Sequence, residues 1–251
     1  MAMRFSLLVA CLMLSSPSLA AECNVRSGPN TAALVELYTS EGCDSCPPAD
    51  RWLSTFAGAP RASRLVVPIA FHVDYWNSLG WTDIYSDARY SERQRQLARA
   101  AGARMVYTPQ VIVGGRDFAS WRTGSAAKAL DAVGMRPARA QIEISASGTS
   151  ARVVASVAPG TRTEDAALIV ALTQNGIVTK VKAGENRGET LRHDFVVRDI
   201  KTFRAWSGER PTLSAEVDFP LRGDFKPGQM RFVAFVQDLR TADVLQALAC
   251  P

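Results

Sequence analysis

Two cysteines three residues apart, Cys43 and Cys46, stand in the run Glu36-Leu-Tyr-Thr-Ser-Glu-Gly-Cys43-Asp-Ser-Cys46-Pro-Pro-Ala-Asp50, between a strand-like stretch and the expected start of a helix. A thiolate at a helix N-terminus is stabilised by backbone N–H groups that lack partners, and a second cysteine in the same turn can close a disulfide with it. That spacing suits dithiol exchange. Cys43, nearer the helix tip and expected nearer solvent, would attack a substrate disulfide, and Cys46 would resolve the mixed disulfide. Asp44 works against the thiolate, because a neighbouring anion disfavours a second negative charge. The opposing reading is an inert local disulfide.

Such chemistry needs an oxidising compartment. Arg4 and an apolar run over residues 5–14 lead to Ser18-Leu19-Ala20, a small-x-small cleavage signature, so residues 1–20 read as a secretory signal peptide. The run is too short to span a bilayer, and no later one reaches the ~20 apolar residues required, so no stable membrane insertion is expected. Glu22 separates the small residues from Cys23, which argues against a lipidated cysteine. The protein is expected to be exported, periplasmic or secreted. Cleavage removes Cys11 and leaves Cys23, Cys43, Cys46 and Cys250, which permit three pairings. Proximity favours Cys43 with Cys46. Elimination would then join Cys23 to Cys250, a clasp worth at most ~5 kcal/mol in the loop-entropy account; the alternative is that both terminal cysteines are free.

The net charge of +5 is scattered along the chain. The densest basic stretch, residues 89–104, puts Arg93 and Arg99 on different helical faces, which reads as a solvated helix and not as a nucleic-acid groove. No Walker loop, dinucleotide fingerprint or Gly-x-Ser-x-Gly elbow is present. No cofactor is expected.

The elements that must position the cysteines follow from periodicity and punctuation. Strands are expected at residues 31–38 and 64–73, helices at 47–56 and 87–101, a hairpin of 110–113 with 117–121 around Gly114-Gly115, and a helix at 125–133. Pro68 argues that the second strand is an edge or is irregular. The order is β-α-β-α-β-β-α. Beyond Gly134, short strand-like runs at 140–145, 152–158, 166–173, 177–182, 190–197, 212–219 and 231–237 alternate with turn signals, which predicts an all-β sandwich-like domain. The expected division is 21–136 and 137–251.

That order resembles the thioredoxin superfamily, and two motifs carry the resemblance: Cys43-x-x-Cys46 after the first strand, and Tyr107-Thr108-Pro109-Gln-Val-Ile-Val113. The fuller first string, with His72-Val-Asp74-Tyr-Trp76 downstream, resembles the secreted thioredoxin-like proteins of domain-of-unknown-function family 1223. The resemblance implies an α/β thioredoxin-like domain and a cis Thr108–Pro109 bond facing the disulfide, with the backbone of Thr108 pairing with substrate. It also implies a part for Glu36. In thioredoxins a buried acid on the strand before the cysteines helps move a proton from the resolving thiol, although here the spacing is one residue longer. A carboxylate in an apolar strand is costly unless paired or functional, so a salt-bridged Glu36 is the alternative.

The loop from His72 to Trp81 should emerge at the carboxyl end of the second strand, the end that carries Cys43. His72, Asp74 and Trp76 are expected to line a substrate groove, with Tyr75 and Trp81 covering the core. His72 also permits a Cys₂His₂ metal set with Cys43, Cys46 and His193, but His193 is expected to be remote and the cysteines supply only half of the ligands, so no metal is assigned. Arg222-Gly-Asp224 reads as a turn.

The chain therefore reads as an exported thiol-disulfide oxidoreductase or redox partner. Its partners would be protein or small-molecule thiols and disulfides and a further, unidentified redox partner. The alternatives are an exported binding protein with a redox-inert thioredoxin-like scaffold, and a metal carrier.

Overall fold

The computed structural model describes residues 22–58, 65–206, 211–220 and 225–250, so the expected signal peptide and the Arg222-Gly-Asp224 turn lie outside the described residues. The first strand, β1 (Glu22–Arg26), was not legible in the sequence. β2 (Ala33–Thr39) is buried at every position, as an almost wholly apolar run covered on both faces should be. α1 (Pro47–Ser54) opens with Pro47 and Pro48, and Cys46 is its N-cap residue. Prolines fit there because first-turn N–H groups have no intrahelical acceptor to lose. β3 (Val66–His72) follows, then α2 (Ala88–Ala100), whose N-cap Asp87 accepts a hydrogen bond from the Arg89 N–H.

β4 (Gln110–Val113) and β5 (Arg116–Asp117) form the glycine hairpin, and α3 (Ala126–Gly134) comes next. The second hairpin strand is shorter than expected, because residues 119–122 turn into a 3-10 helix. Gly115 has φ +84°, and a Cβ there would lie 1.8 Å from the Ala242 carbonyl oxygen, so only glycine fits.

The later strands are β6 (Ala140–Ser147), β7 (Ser150–Val157), β8 (Ala166–Gln174), β9 (Ile177–Lys180), β10 (Thr190–His193), β11 (Val196–Phe203), β12 (Thr212–Asp218), β13 (Met230–Asp238) and β14 (Val244–Ala249). The expected 190–197 strand is broken at Phe195, which has φ 59°, into β10 and the start of β11.

One eight-stranded sheet runs β14-β13-β8-β11-β3-β2-β4-β5, and a four-stranded sheet runs β1-β6-β7-β12. β2 and β3 are parallel, and β11 meets the far side of β3 at Val196–Ala70. The division expected at 136/137 therefore does not separate the sheets. The strand-rich half does make two packed layers, but one of them is continuous with the strands that lead to the cysteines. Pro68 lies inside this sheet rather than at its edge. Its nitrogen has the parity of Ala70, whose N–H bonds to the Phe195 carbonyl at 2.8 Å. Since β11 reaches β3 only at Ala70, Pro68 forfeits no ladder bond.

Strand alternation distributes three cores. On β2, Leu34 and Tyr38 pack with Ile69, Phe71, Tyr90 and Phe235, while Ala33, Val35 and Leu37 meet Ala49, Leu53 and Trp121. The sheet curls until β14 lies against β2 and β3, enclosing the first of these cores. The third core lies between the sheets, with Ile142, Val153 and Leu213 against Leu168, Val170 and Phe232. A Cys23–Cys250 disulfide, Cα–Cα 5.9 Å, ties β1 to the residue after β14. Among the described residues, no helix is long and apolar enough to cross a membrane.

Candidate functional site

Cys43 and Cys46 form a disulfide with Cα atoms 5.4 Å apart, in the turn between β2 and α1. The Thr108–Pro109 bond is cis. The Thr108 hydroxyl lies 3.5 Å from Cys43 Sγ as donor and accepts from Trp76 Nε1 at 2.8 Å. Ser45 Oγ is 3.4 Å from the same sulfur. The structure thus brings Cys43, Cys46, Thr108, Pro109 and Trp76 together. Behind Thr108, buried Gln94 donates to the Tyr107 carbonyl and to Gln110 Oε1, both at 2.8 Å, and so ties α2 to the cis-proline segment.

Both sulfurs are buried, Cys43 and Cys46 each at 0% exposure, which corrects the expectation that Cys43 faces solvent. The connection between β9 and β10 is fastened to the backbone of the cysteine turn. Buried Asn186 donates from Nδ2 to the carbonyls of Glu41 and Cys43, both at 2.9 Å. The Glu185 carboxylate accepts from the Asp44 N–H at 3.2 Å, which brings a second anion beside the exposed Asp44. Gly184, with φ +72°, packs so tightly that a Cβ would stand 3.1 Å from that of Trp81.

Beside that turn lies a buried polar cluster. His72, expected in a groove, is wholly buried, because it is the last residue of a strand packed on both sides. Its Nδ1 is 2.6 Å from Asp83 Oδ2, and Asp83 also accepts from the N–H groups of Glu41 and Tyr85 at 2.9 Å each. Burial opposes charge on Asp83, but His72 and these donors outweigh it and hold the carboxyl below its usual range.

His193, expected to be remote, packs against His72 with ring centroids 4.9 Å apart, because β10, paired with β9 in a separate two-stranded ribbon, leads straight into β11, which joins β3 at Val196–Ala70. Its Nε2 is 3.5 Å from Glu41 Oε1 and its Nδ1 is 3.6 Å from Asp50 Oδ1. Burial disfavours the charged ring, yet the carboxylates of Asp50 and Glu41 push its pKa up to about 10. Asp50 also accepts from the Thr39 hydroxyl at 3.0 Å, and Glu41 accepts from Trp81 Nε1 at 2.9 Å. His72 Nε2, both ring nitrogens of His193 and Glu41 Oε1 have no hydrogen-bond partner.

Glu36 and Asp74 are placed differently from expectation. Alternation along β2 puts Glu36 with Leu34 and Tyr38, on the face opposite the residues that meet α1. There its Oε2 accepts from Arg93 Nε at 2.8 Å and from the Tyr38 hydroxyl at 3.0 Å. Arg93 in turn stacks over Phe71 and Phe235 and donates to Gln237 at 2.9 Å. Burial opposes the guanidinium charge, but Glu36 outweighs it and raises the Arg93 pKa. The proton-transfer part expected of Glu36 is therefore corrected to a structural ion pair, and Arg93 is not on a solvated face. Asp74 bonds Ser91 through its backbone N–H and its carboxylate, which fastens the loop to α2.

The family profile described as Protein of unknown function (DUF1223) matches residues 34–237, four-fifths of the chain. The chain belongs to this family. The DUF1223 match begins in β2 and ends in β13, so it takes in both the cysteines and the strands that cover them. Among solved structures, the chain is similar to protein AGR_C_4864 from Agrobacterium tumefaciens, with TM-score 0.63 and 25% identity over 89% of this chain and 96% of that one. It is also similar in fold to HBP35 of Porphyromonas gingivalis, with TM-score 0.63 and 13% identity over 88% of this chain and 75% of that one. No curated protein matches.

Four site residues of this DUF1223 chain escaped the sequence reading: Glu41, Asp50, Asp83 and Asn186. Glu41 and Asp50 stood in the cysteine string, where a carboxylate so near an apolar strand was a usable signal. Asn186 sits in Ala183-Gly-Glu-Asn-Arg-Gly188, which by composition is only a polar turn.

Proposed function

We propose that this protein is an exported thiol-disulfide oxidoreductase or redox partner with a thioredoxin-like arrangement. The observation that carries the reading is the Thr108 hydroxyl, beside a cis-proline, 3.5 Å from Cys43 Sγ. The order β2-α1-β3-α2-β4-β5-α3, with parallel β2 and β3 delivering the cysteines at their carboxyl ends, supports it.

In the reducing direction, the Cys43 thiolate attacks one sulfur of a substrate disulfide and expels the other as a thiolate. The Cys46 thiolate then attacks Cys43 Sγ, closing the Cys43–Cys46 bond and releasing the second substrate thiolate. Substrate gains two electrons and the protein dithiol loses them; oxidation of substrate is the same path reversed. Asp50 and Glu41 are the buried acids nearest in sequence to the cysteine turn, whereas Glu36 lies on the opposite face of β2. Since both cysteines are buried and the 181–189 connection is fastened to the backbone of their turn, we expect that connection to move before a substrate enters.

The burial of both sulfurs favours a second reading, a redox-inert scaffold. Two measurements separate them. A Cys46→Ser variant should accumulate mixed disulfides through Cys43 in the exporting cell, and the purified pair should have a potential well above about −300 mV. No trapped partners together with a potential below that value would establish the inert scaffold.

A further inference from the structure

We infer that His72, His193 and Asp50 form a binding site for a divalent transition-metal ion, with zinc as the type, separate from the cysteine sulfurs. One ligand atom from each of the three lies within 4.8 Å of the others, and all three residues are buried. The ligands come from β3, β10 and α1.

Unsatisfied nitrogens give the cluster its direction. The Asp83 carboxylate stands 2.6 Å from His72 Nδ1, which leaves the buried Nε2 as the ring nitrogen with no hydrogen-bond partner. A carboxylate bonded to the far nitrogen of a ligating histidine is the usual outer support of a metal site. His193 offers two further nitrogens without hydrogen bonds, since its separations of 3.5 and 3.6 Å from Glu41 and Asp50 exceed hydrogen-bond length. Buried polar atoms are rarely left so; without an ion His193 stands between Asp50 and Glu41 as a loose ion pair, and a bound ion would take the place of a ring proton, so binding should strengthen as pH rises. Asp50 is oriented by the Thr39 hydroxyl at 3.0 Å, leaving Oδ1 toward His193.

Two imidazoles and carboxylate oxygen suit zinc, and its bonds of ~2.0–2.1 Å place tetrahedral ligand atoms about 3.4 Å apart, so side-chain rotations of roughly an ångström close the set. A cleft of about 430 Å³, lined by Asp44, Asp50, Glu185 and His193, opens onto Asp50 and His193 and gives an ion its way in.

The test uses untagged, oxidised, full-length protein titrated with zinc by calorimetry, with cobalt(II) as a visible-absorption probe. One ion per chain should bind at micromolar or lower dissociation constant. His193→Gln and Asp50→Asn should each weaken binding at least about tenfold. A Cys43→Ser/Cys46→Ser double variant should bind unchanged, so the outcome does not depend on whether the disulfide exchanges. His72 and His193 are the chain's only two histidines, so histidine-selective ¹⁵N spectra of the unmutated protein report on the same site even where a variant fails to fold. Zinc should shift the ring nitrogens of both. No stoichiometric binding, binding that leaves both histidine spectra unmoved, or binding abolished in the cysteine double variant would each overturn the proposal.

Discussion

The molecule buries two acidic clusters on opposite faces of β2, and they are built on different terms. Around Glu36, one guanidinium and one phenol bond to Oε2 at hydrogen-bond distance, an amide accepts from the same guanidinium, and aromatic rings seal the pair in, leaving only Oε1 without a partner. Around Glu41 and Asp50, each carboxylate takes one neutral donor, Trp81 or Thr39, and the charged partner is His193 at distances too long for hydrogen bonds, with a solvent cleft alongside. A closed cluster holds two elements together. An open one, beside a disulfide, keeps protons and ligands exchangeable.

The sharpest way to break this contrast is Arg93→Met. It leaves the buried Glu36 with only the Tyr38 hydroxyl as partner, and urea unfolding should show a loss of about 3–5 kcal/mol; adding Glu36→Gln should restore part of it. A loss under about 1 kcal/mol would mean that the two clusters do not differ as described.

The second test is pH. The folded pKa of His193 is raised from 6.5 to about 10, so its charged form contributes stability fully below 6.5 and loses that contribution as pH rises toward 10. With chelator present, the unmutated protein should lose on the order of 2–4 kcal/mol across that window, and His193→Gln should show a flatter profile. Parallel profiles would remove the ion pairs from the account.

Asn186→Leu strips two buried carbonyls of their donor and should cost about 1–3 kcal/mol. It should also speed reduction of Cys43–Cys46 by a small thiol severalfold; an unchanged rate would show that the 181–189 connection is not the cover. Thr108→Val is the mildest, costing under about 1 kcal/mol by loss of one weak donor to sulfur and the acceptor for Trp76. It should move the rate of disulfide exchange more than the stability, which a comparison of stopped-flow reduction with urea melts would reveal.

What the sequence made legible is local. The Cys-x-x-Cys turn, the helix that follows it and the glycine hairpin are each written in a few adjacent residues. β14 was missed because Val-Leu-Gln-Ala-Leu-Ala has a glutamine at its middle, and Gln246 makes sense only beside the Ala32 N–H and the Gly28 and Asn30 carbonyls, more than two hundred residues away. His193 and Arg93 were misplaced for the same reason. A parallel contact such as Val196 with Ala70 carries no signature in either strand, so nothing local told that β10 would close over the cysteines or that α2 would turn Arg93 inward. Glu36 was ambiguous until the facing helix was known.

The seam at β3 has an evolutionary consequence. With β2 on one side and β11 on the other, a chain ending near Arg136 would leave an open sheet edge and a gutted core, and such edges invite aggregation. Gly115, pressed on the Ala242 carbonyl, sets the same limit from the opposite end of the sheet. The halves are thus not interchangeable cassettes. Duplication or recombination within this lineage has to carry the cysteines and their distant covering strands as one inherited piece, and a splice between them would be selected against before any chemistry was at stake.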